Sequence, residues 1–187
     1  MVMGDGTAAN HHLAYDANGN IKLMKQWGLK VNGSSVIDDL VYTYYGNSNK
    51  LSSVSEQGAG ATVHKLGDFT DKNTNGNDYG YDLNGNMVTD LNKRMNGNTG
   101  QTITSGGAII YNHLNLPWQI PVKDDNGNEK GTITYTYDAT GNKLKKVVED
   151  KSTAGKIITT TTSYVGGLIY ESKTTVPADA GDYADQL

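Results

Sequence analysis

The chain has 187 residues, a formal charge of −4, no cysteine, 23 glycines and 12 tyrosines. The missing thiols exclude disulfide staples and thiolate metal centres, and the small acidic balance gives no electrostatic reason to bind nucleic acid or an anionic membrane. Abundant glycine and tyrosine favour strands joined by frequent turns over packed helices, because tyrosine suits a half-buried pleated surface and glycine takes backbone conformations closed to other residues.

Residues 1–12 lack apolar periodicity, a basic start and an apolar stretch, so they carry no signal peptide and read as an unpatterned N-terminal segment. The first clear unit follows as Tyr15-Asp16-Ala17-Asn18-Gly19-Asn20. Residues 29–31 and 36–44 flank Asn32-Gly33, which predicts an extra hairpin. The second unit is degenerate: Tyr42-Thr43-Tyr44-Tyr45 runs into Ser48-Asn49-Lys50-Leu51, with Tyr45 where the aspartate stands in the first. Residues 56–80 and 89–107 are the least regular stretches, and within the latter a single helical turn capped by Thr89 or Asp90 is expected. Between them lies Tyr81-Asp82-Leu83-Asn84-Gly85-Asn86.

The second half repeats the scheme. Tyr111-Asn112-His113-Leu114-Asn115 keeps an Asx residue after the tyrosine and continues into Leu116-Pro117-Trp118. In Thr132-Ile133-Thr134-Tyr135-Thr136-Tyr137 the apolar and aromatic residues alternate with threonine, the period of a strand with one face on a core. Asp138-Ala139-Thr140-Gly141-Asn142 then reverses the chain, and Lys143-Leu144-Lys145-Lys146-Val147-Val148 returns it. The spacing of three between Leu144 and Val147 breaks the alternation and predicts a bulge. Residues 157–165 form a threonine-rich strand that Gly166-Gly167 folds back through residues 168–170, leaving Tyr164 and the turn glycines as a sixth copy. Residues 173–187 carry no repeat and read as a tail.

Tyr15, Tyr44, Tyr81, Tyr111, Tyr137 and Tyr164 are thus separated by 29, 37, 30, 26 and 27 residues, a loose period with insertions. A unit of this size cannot bury its own apolar face and has to stack on its neighbours. The expectation is an all-β fold, a curved and mainly antiparallel sheet of tandem hairpins spanning residues 13–172. The tyrosines are its packing groups, Asp16, Asp82 and Asp138 brace the turns through their side-chain oxygens, and Gly19, Gly85 and Gly141 take positive φ.

The Tyr-Asp-x-x-Gly-Asn units, Leu114-Asn115-Leu116-Pro117 and the closing Tyr164-Val165-Gly166-Gly167-Leu168-Ile169-Tyr170-Glu171 resemble the YD-repeat, or Rhs, family of large bacterial polymorphic-toxin proteins, over roughly residues 10 to 172. The resemblance implies a partial β-shell from just upstream of the family's core segment, forming part of a wall around a C-terminal toxin. It also implies the rest of the shell and that toxin as partners, and a secreted or cell-surface location within a larger protein. None of Pro117, Pro121 and Pro177 follows an aspartate, so the family's self-cleaving Asp-Pro motifs are missing and no enzymatic activity is assigned. Related arrays in teneurins are extracellular contact surfaces, so the alternative is an adhesion or glycan-binding module, for which Trp27 and Trp118 are the candidate stacking residues, with packing in the core or at a strand edge the competing role.

Neither a cofactor nor membrane insertion is expected. A calcium site is the sharpest chemical alternative, because Asp71, Asn73, Asn75 and Asp82 occupy positions 1, 3, 5 and 12 of an EF-hand-like loop with Gly76 at position 6. Position 12 lacks the longer glutamate, no amphipathic helix flanks the loop, and Asp82 already belongs to a repeat. An Asx-rich turn is the expectation. His11, His12, His64 and His113 stand in no nucleophile or metal motif and read as surface residues.

Overall fold

The structure, a computed structural model, describes residues 2–3, 13–30, 33–57 and 69–177. It is all-β and antiparallel. The strands are β1 (Val2–Met3), β2 (Leu23–Lys30), β3 (Gly33–Tyr44), β4 (Leu51–Glu56), β5 (Tyr79–Tyr81), β6 (Met87–Asp90), β7 (Ile110–Tyr111), β8 (Pro117–Lys123), β9 (Glu129–Tyr137), β10 (Lys143–Asp150), β11 (Ile157–Val165) and β12 (Leu168–Val176). The N-terminal segment, unpatterned in sequence, contributes β1 against β2, and β12 runs four residues past the expected limit of the array at 172.

Spatial order follows chain order. The ladders form a four-stranded sheet β1-β2-β3-β4, a two-stranded sheet β5-β6 and a six-stranded sheet from β7 to β12. At the two joints the backbone ladder lapses and isolated bonds take over. Between β4 and β5, Asp78 N donates to Ser52 O at 2.7 Å and the Asp78 carboxylate accepts Val54 N at 2.8 Å. Between β6 and β7, Ala108 N and Ile109 N both donate to Val88 O, at 2.7 and 3.0 Å. The stretches preceding β5 and β7 are the two irregular ones, so too little extended backbone faces β4 and β6 to build a ladder.

Local chemistry accounts for the elements. The extra hairpin forms as β2 and β3, with a register shift between Gln26 and Trp27. After β6, Asp90 caps a single 3₁₀ turn over Leu91–Lys93: its Oδ1 accepts Lys93 N at 3.1 Å, and Arg94 closes the turn in the left-handed conformation. The expected bulge at Leu144 is present, since Tyr137 pairs with Lys143 and Thr136 with Lys145, leaving Leu144 unpaired. The same extra residue recurs in the other return strands, at Ser52, Val88 and Trp118. The bulge is therefore a property of the unit.

Among the described residues, buried apolar side chains all lie before β7. Leu40, Val54 and Tyr79 form the centre of the core, with Met24, Tyr42, Leu51, Phe69, Tyr81 and Met87 packed around them. Asp38 and Asp78 are buried with them and serve the backbone: Asp38 accepts Phe69 N at 2.8 Å, and Asp78 accepts Val54 N at 2.8 Å. The described hydrophobic core ends at Ile109, and the apolar side chains of β10 to β12 lie largely in the open.

The expected consequence is an uneven stability map. Truncation of buried Tyr79 to alanine should cost about 3–5 kcal/mol in urea unfolding, whereas truncation of Leu83, 74% exposed, should stay within about 0.5 kcal/mol.

Candidate functional site

The side chains that recur in every unit meet along one edge of the fold. In the first turn Asp16 Oδ1 accepts the backbone N–H of Asn18 and Asn20 at 2.9 and 2.8 Å, and Oδ2 accepts the Asn20 amide at 2.8 Å. Asp82 repeats this with Asn84 and Asn86, and Asp138 with Thr140 and Asn142, where the Thr140 hydroxyl donates a further bond at 2.8 Å. Asn112 does the same with one amide oxygen, accepting Leu114 N at 2.9 Å and Leu116 N at 3.0 Å. The fourth turn position is a positive-φ glycine at Gly19, Gly85 and Gly141. Asn115 holds it at φ 57° in the fourth unit, asparagine being the residue that best tolerates that region after glycine.

Asp124 builds an identical turn with Asn126 and Asn128 at the opposite end of the hairpins, between β8 and β9. No tyrosine precedes it, so it is not one of the six repeat copies. The signal that identifies it is the Asx-x-x-Gly-Asn spacing alone.

These bonds favour the charged form of Asp16, Asp124 and Asp138 and hold their pKa values below the ordinary 3.8. The Asn142 amide, the Thr140 hydroxyl and two backbone N–H groups hold Asp138 at about 2 against an ordinary 3.8. Asp16 and Asp124 are also lowered, chiefly by the amides of Asn20 and Asn128. In the core the opposite holds, where burial, aided by nearby Asp90, pushes the Tyr79 phenol up to about 12.

The tyrosines connect one unit to the next. Tyr44 Oη donates to Ile21 O at 2.9 Å, Tyr81 Oη to Leu51 O at 3.1 Å, Tyr111 Oη to Met87 O at 2.8 Å and Tyr137 Oη to Pro117 O at 2.9 Å. In each case the acceptor is the first residue after the preceding turn, just before the bulge, where the strand ladder has run out. Tyr15 begins the row and is 47% exposed. Tyr164 pairs with Ile169 near the two-glycine turn and makes no such bond, although the Asp138 turn and the Leu144 bulge precede it.

Neighbouring turns also touch directly. Asn49 Oδ1 accepts the amides of Asn18 and Asn20, and Asn115 Oδ1 those of Asn84 and Asn86, at 2.9 to 3.1 Å. Lys50 bridges the second and third units, donating to Gln101 O at 2.9 Å and standing 5.5 Å from the centre of the Tyr81 ring. Tyr45, in the aspartate position, donates to Tyr79 O at 2.7 Å and meets Tyr81 edge to face, joining two sheets that share no ladder.

The residues at the EF-hand-like spacing make hydrogen bonds of their own. Asp82 closes its own turn, Asp71 accepts Asn73 N, and the Asn73 amide donates to Asp78 and to Asn77 O. The Asn73 side chain thus turns toward buried Asp78, and the Asn75 amide donates to the Thr74 hydroxyl at 3.5 Å. Among the described residues no group of three or more His, Asp or Glu side chains converges. His113 lies in the fourth turn, and His11, His12 and His64 lie outside the described residues. A recess of about 640 Å³ opens beside the core, walled by Leu40, Tyr42, Phe69 and Met87. Its one buried carboxylate, Asp90, caps the 3₁₀ turn.

No family model, curated protein or solved structure matches the chain.

The tyrosine bonds predict that Tyr81→Phe and Tyr111→Phe each lose about 1 kcal/mol of stability, the usual net worth of one hydrogen bond. Urea titration of each variant against the parent checks this.

The turn carboxyls predict a dependence on acid. With Asp138 lowered in the folded chain, its contribution is complete above the ordinary 3.8 and is lost as pH falls towards about 2, since the unfolded chain takes up the proton first. Asp138→Asn keeps the acceptor oxygen, as Asn112 does, and should flatten the slope of unfolding midpoint against pH in that interval.

Proposed function

We propose that this chain is a section of wall in a YD-repeat, Rhs-type β-shell that encloses a toxic C-terminal segment of a longer secreted or cell-surface bacterial protein. The observation that carries this reading is the four-fold recurrence of one bond, from a repeat tyrosine to the carbonyl after the preceding turn, in strict chain order. It specifies lateral growth, since each unit is completed only by the next. A wall grown in this way covers its internal strand edges and separates one side from solvent and proteases on the other. The exposed apolar side chains of β10 to β12 support it as well, because a free-standing sheet has no use for them.

The role is containment, without a cofactor and without a reaction of its own. The partners are the remainder of the shell and its cargo. No described helix is long and apolar enough to cross a membrane, and the reading places no membrane-spanning segment here.

The test is protection of cargo. The full parent protein carrying this section should shield its C-terminal segment from proteinase K, and deletion of residues 110–128, which removes two antiparallel strands and leaves the direction of the rest unchanged, should expose it. Equal survival of the cargo in both proteins overturns the reading.

A second reading is favoured by one observation. Trp27 and Trp118 are 37% and 48% exposed, so each indole is partly packed and partly open to solvent. Exposed indole faces suit the stacking of sugar rings in an adhesion or glycan-binding module. Glycan-array binding abolished by Trp27→Ala or Trp118→Ala would establish it.

A further inference from the structure

The six-stranded sheet ends at β12, whose outer edge pairs with no strand among the described residues. Leu168, Ile169, Tyr170 and Val176 are 56 to 68% exposed, and Glu171 and Lys173 are exposed between them. A long, flat, apolar edge of this kind is a template for another strand.

The register of β12 on β11 fixes which backbone groups are free. Val165 pairs with Leu168 across Gly166-Gly167, both at positive φ, and the pairing continues without a shift to Ile157 and Val176. The pair closing a two-residue hairpin is hydrogen-bonded, and antiparallel pairs alternate thereafter. Leu168, Tyr170, Ser172, Thr174 and Val176 therefore direct their N–H and C=O groups to β11. Those of Ile169, Glu171, Lys173 and Thr175 point away from it.

We propose that this edge binds the same edge of a second copy of the chain, antiparallel, about a two-fold axis at Ser172. In that register Ile169 meets the partner's Thr175 and Glu171 meets the partner's Lys173, so every outward N–H and C=O is paired. Side chains agree with backbone. Glu171 and Lys173 form two reciprocal ion pairs on one face, and on the other Leu168 abuts the partner's Val176 at both ends of the contact. Shifting the axis to residue 171 or residue 173 keeps the backbone bonds but sets glutamate against glutamate or lysine against lysine. Lone charges on an edge ordinarily repel strands. Here their placement two residues apart selects one register of self-association, giving a closed, isologous dimer in place of an open fibre. The inference rests on the β12 edge alone and is independent of the containment reading.

Sedimentation velocity on the full 187-residue chain over a concentration series tests it, with far-UV circular dichroism confirming that each variant is folded. The chain is expected to dimerise. Glu171→Lys and Lys173→Glu, which create like-charge pairs across the axis, should each be monomeric, and the double exchange Glu171→Lys/Lys173→Glu should restore the dimer. Lys173→Pro removes an outward N–H that β11 does not use and should also abolish it. A monomeric parent chain, dimers that persist in both single-charge variants, or failure of the double exchange to rescue would each overturn the proposal.

Discussion

The structure depends on one hydrogen bond made four times, from the hydroxyl of a repeat tyrosine to the carbonyl that follows the preceding turn. That carbonyl lies where the strand ladder ends, beside a bulge that leaves the next residue unpaired. A backbone carbonyl without a partner is costly when shielded from water. Tyrosine answers the need with a rigid ring long enough to span the gap, and its ring covers the strand ends while its hydroxyl makes the bond. Phenylalanine supplies the ring alone and serine the hydroxyl alone, which explains why tyrosine recurs at this place.

The Asx turn and the bulge make that contact possible. The turn carboxylate takes two backbone N–H groups and one amide, which orients the following residue, and the left-handed fourth position brings the return strand back at a fixed angle. The extra residue then adds twist, re-aiming the strand so that the next tyrosine meets it. The Gly166-Gly167 hairpin closes without Asx turn or bulge, and Tyr164 has no carbonyl bond although the Asp138 turn and the Leu144 bulge precede it. Asp124 makes the turn at the opposite end of the hairpins, with no tyrosine beside it. The turn and the aromatic are thus separable devices, and the second unit, with Tyr45 in the aspartate position, is still linked on both sides through Tyr44 and Leu51.

Stability is distributed unevenly in consequence. In the first half, buried Leu40, Val54 and Tyr79 add apolar packing to the polar links, and Asp38 and Asp78 use buried carboxylates to hold irregular backbone. From β8 onward the sheet stands on ladders, turns and tyrosine bonds, with apolar side chains mostly half-buried in β8 and β9 and largely open in β10 to β12. A sheet built in this way is suited to being one layer against something else, whether cargo, further wall or a second copy.

The all-β class, the six turns, the hairpin around residues 32–33, a bulge in the Leu144 to Val147 stretch and a helical turn capped by Thr89 or Asp90 were legible in the amino-acid order, and the structure puts the bulge at Leu144 and the cap at Asp90. Each depends on bonds spanning two to four residues, or on the two-residue alternation of a strand. The tertiary structure alone decided the partners of the tyrosine hydroxyls, which lie 20 to 30 residues away, the joints where the ladder lapses, the burial of Asp38 and Asp78, and the exposure of Trp27 and Trp118. It also showed that Asp82, the last residue of the EF-hand-like spacing, accepts three bonds within its own turn. Local hydrogen-bonding chemistry is written in neighbouring residues. Which unit completes which is settled only when the strands lie side by side, since a carbonyl becomes an acceptor for a distant tyrosine through the shape of the intervening bulge.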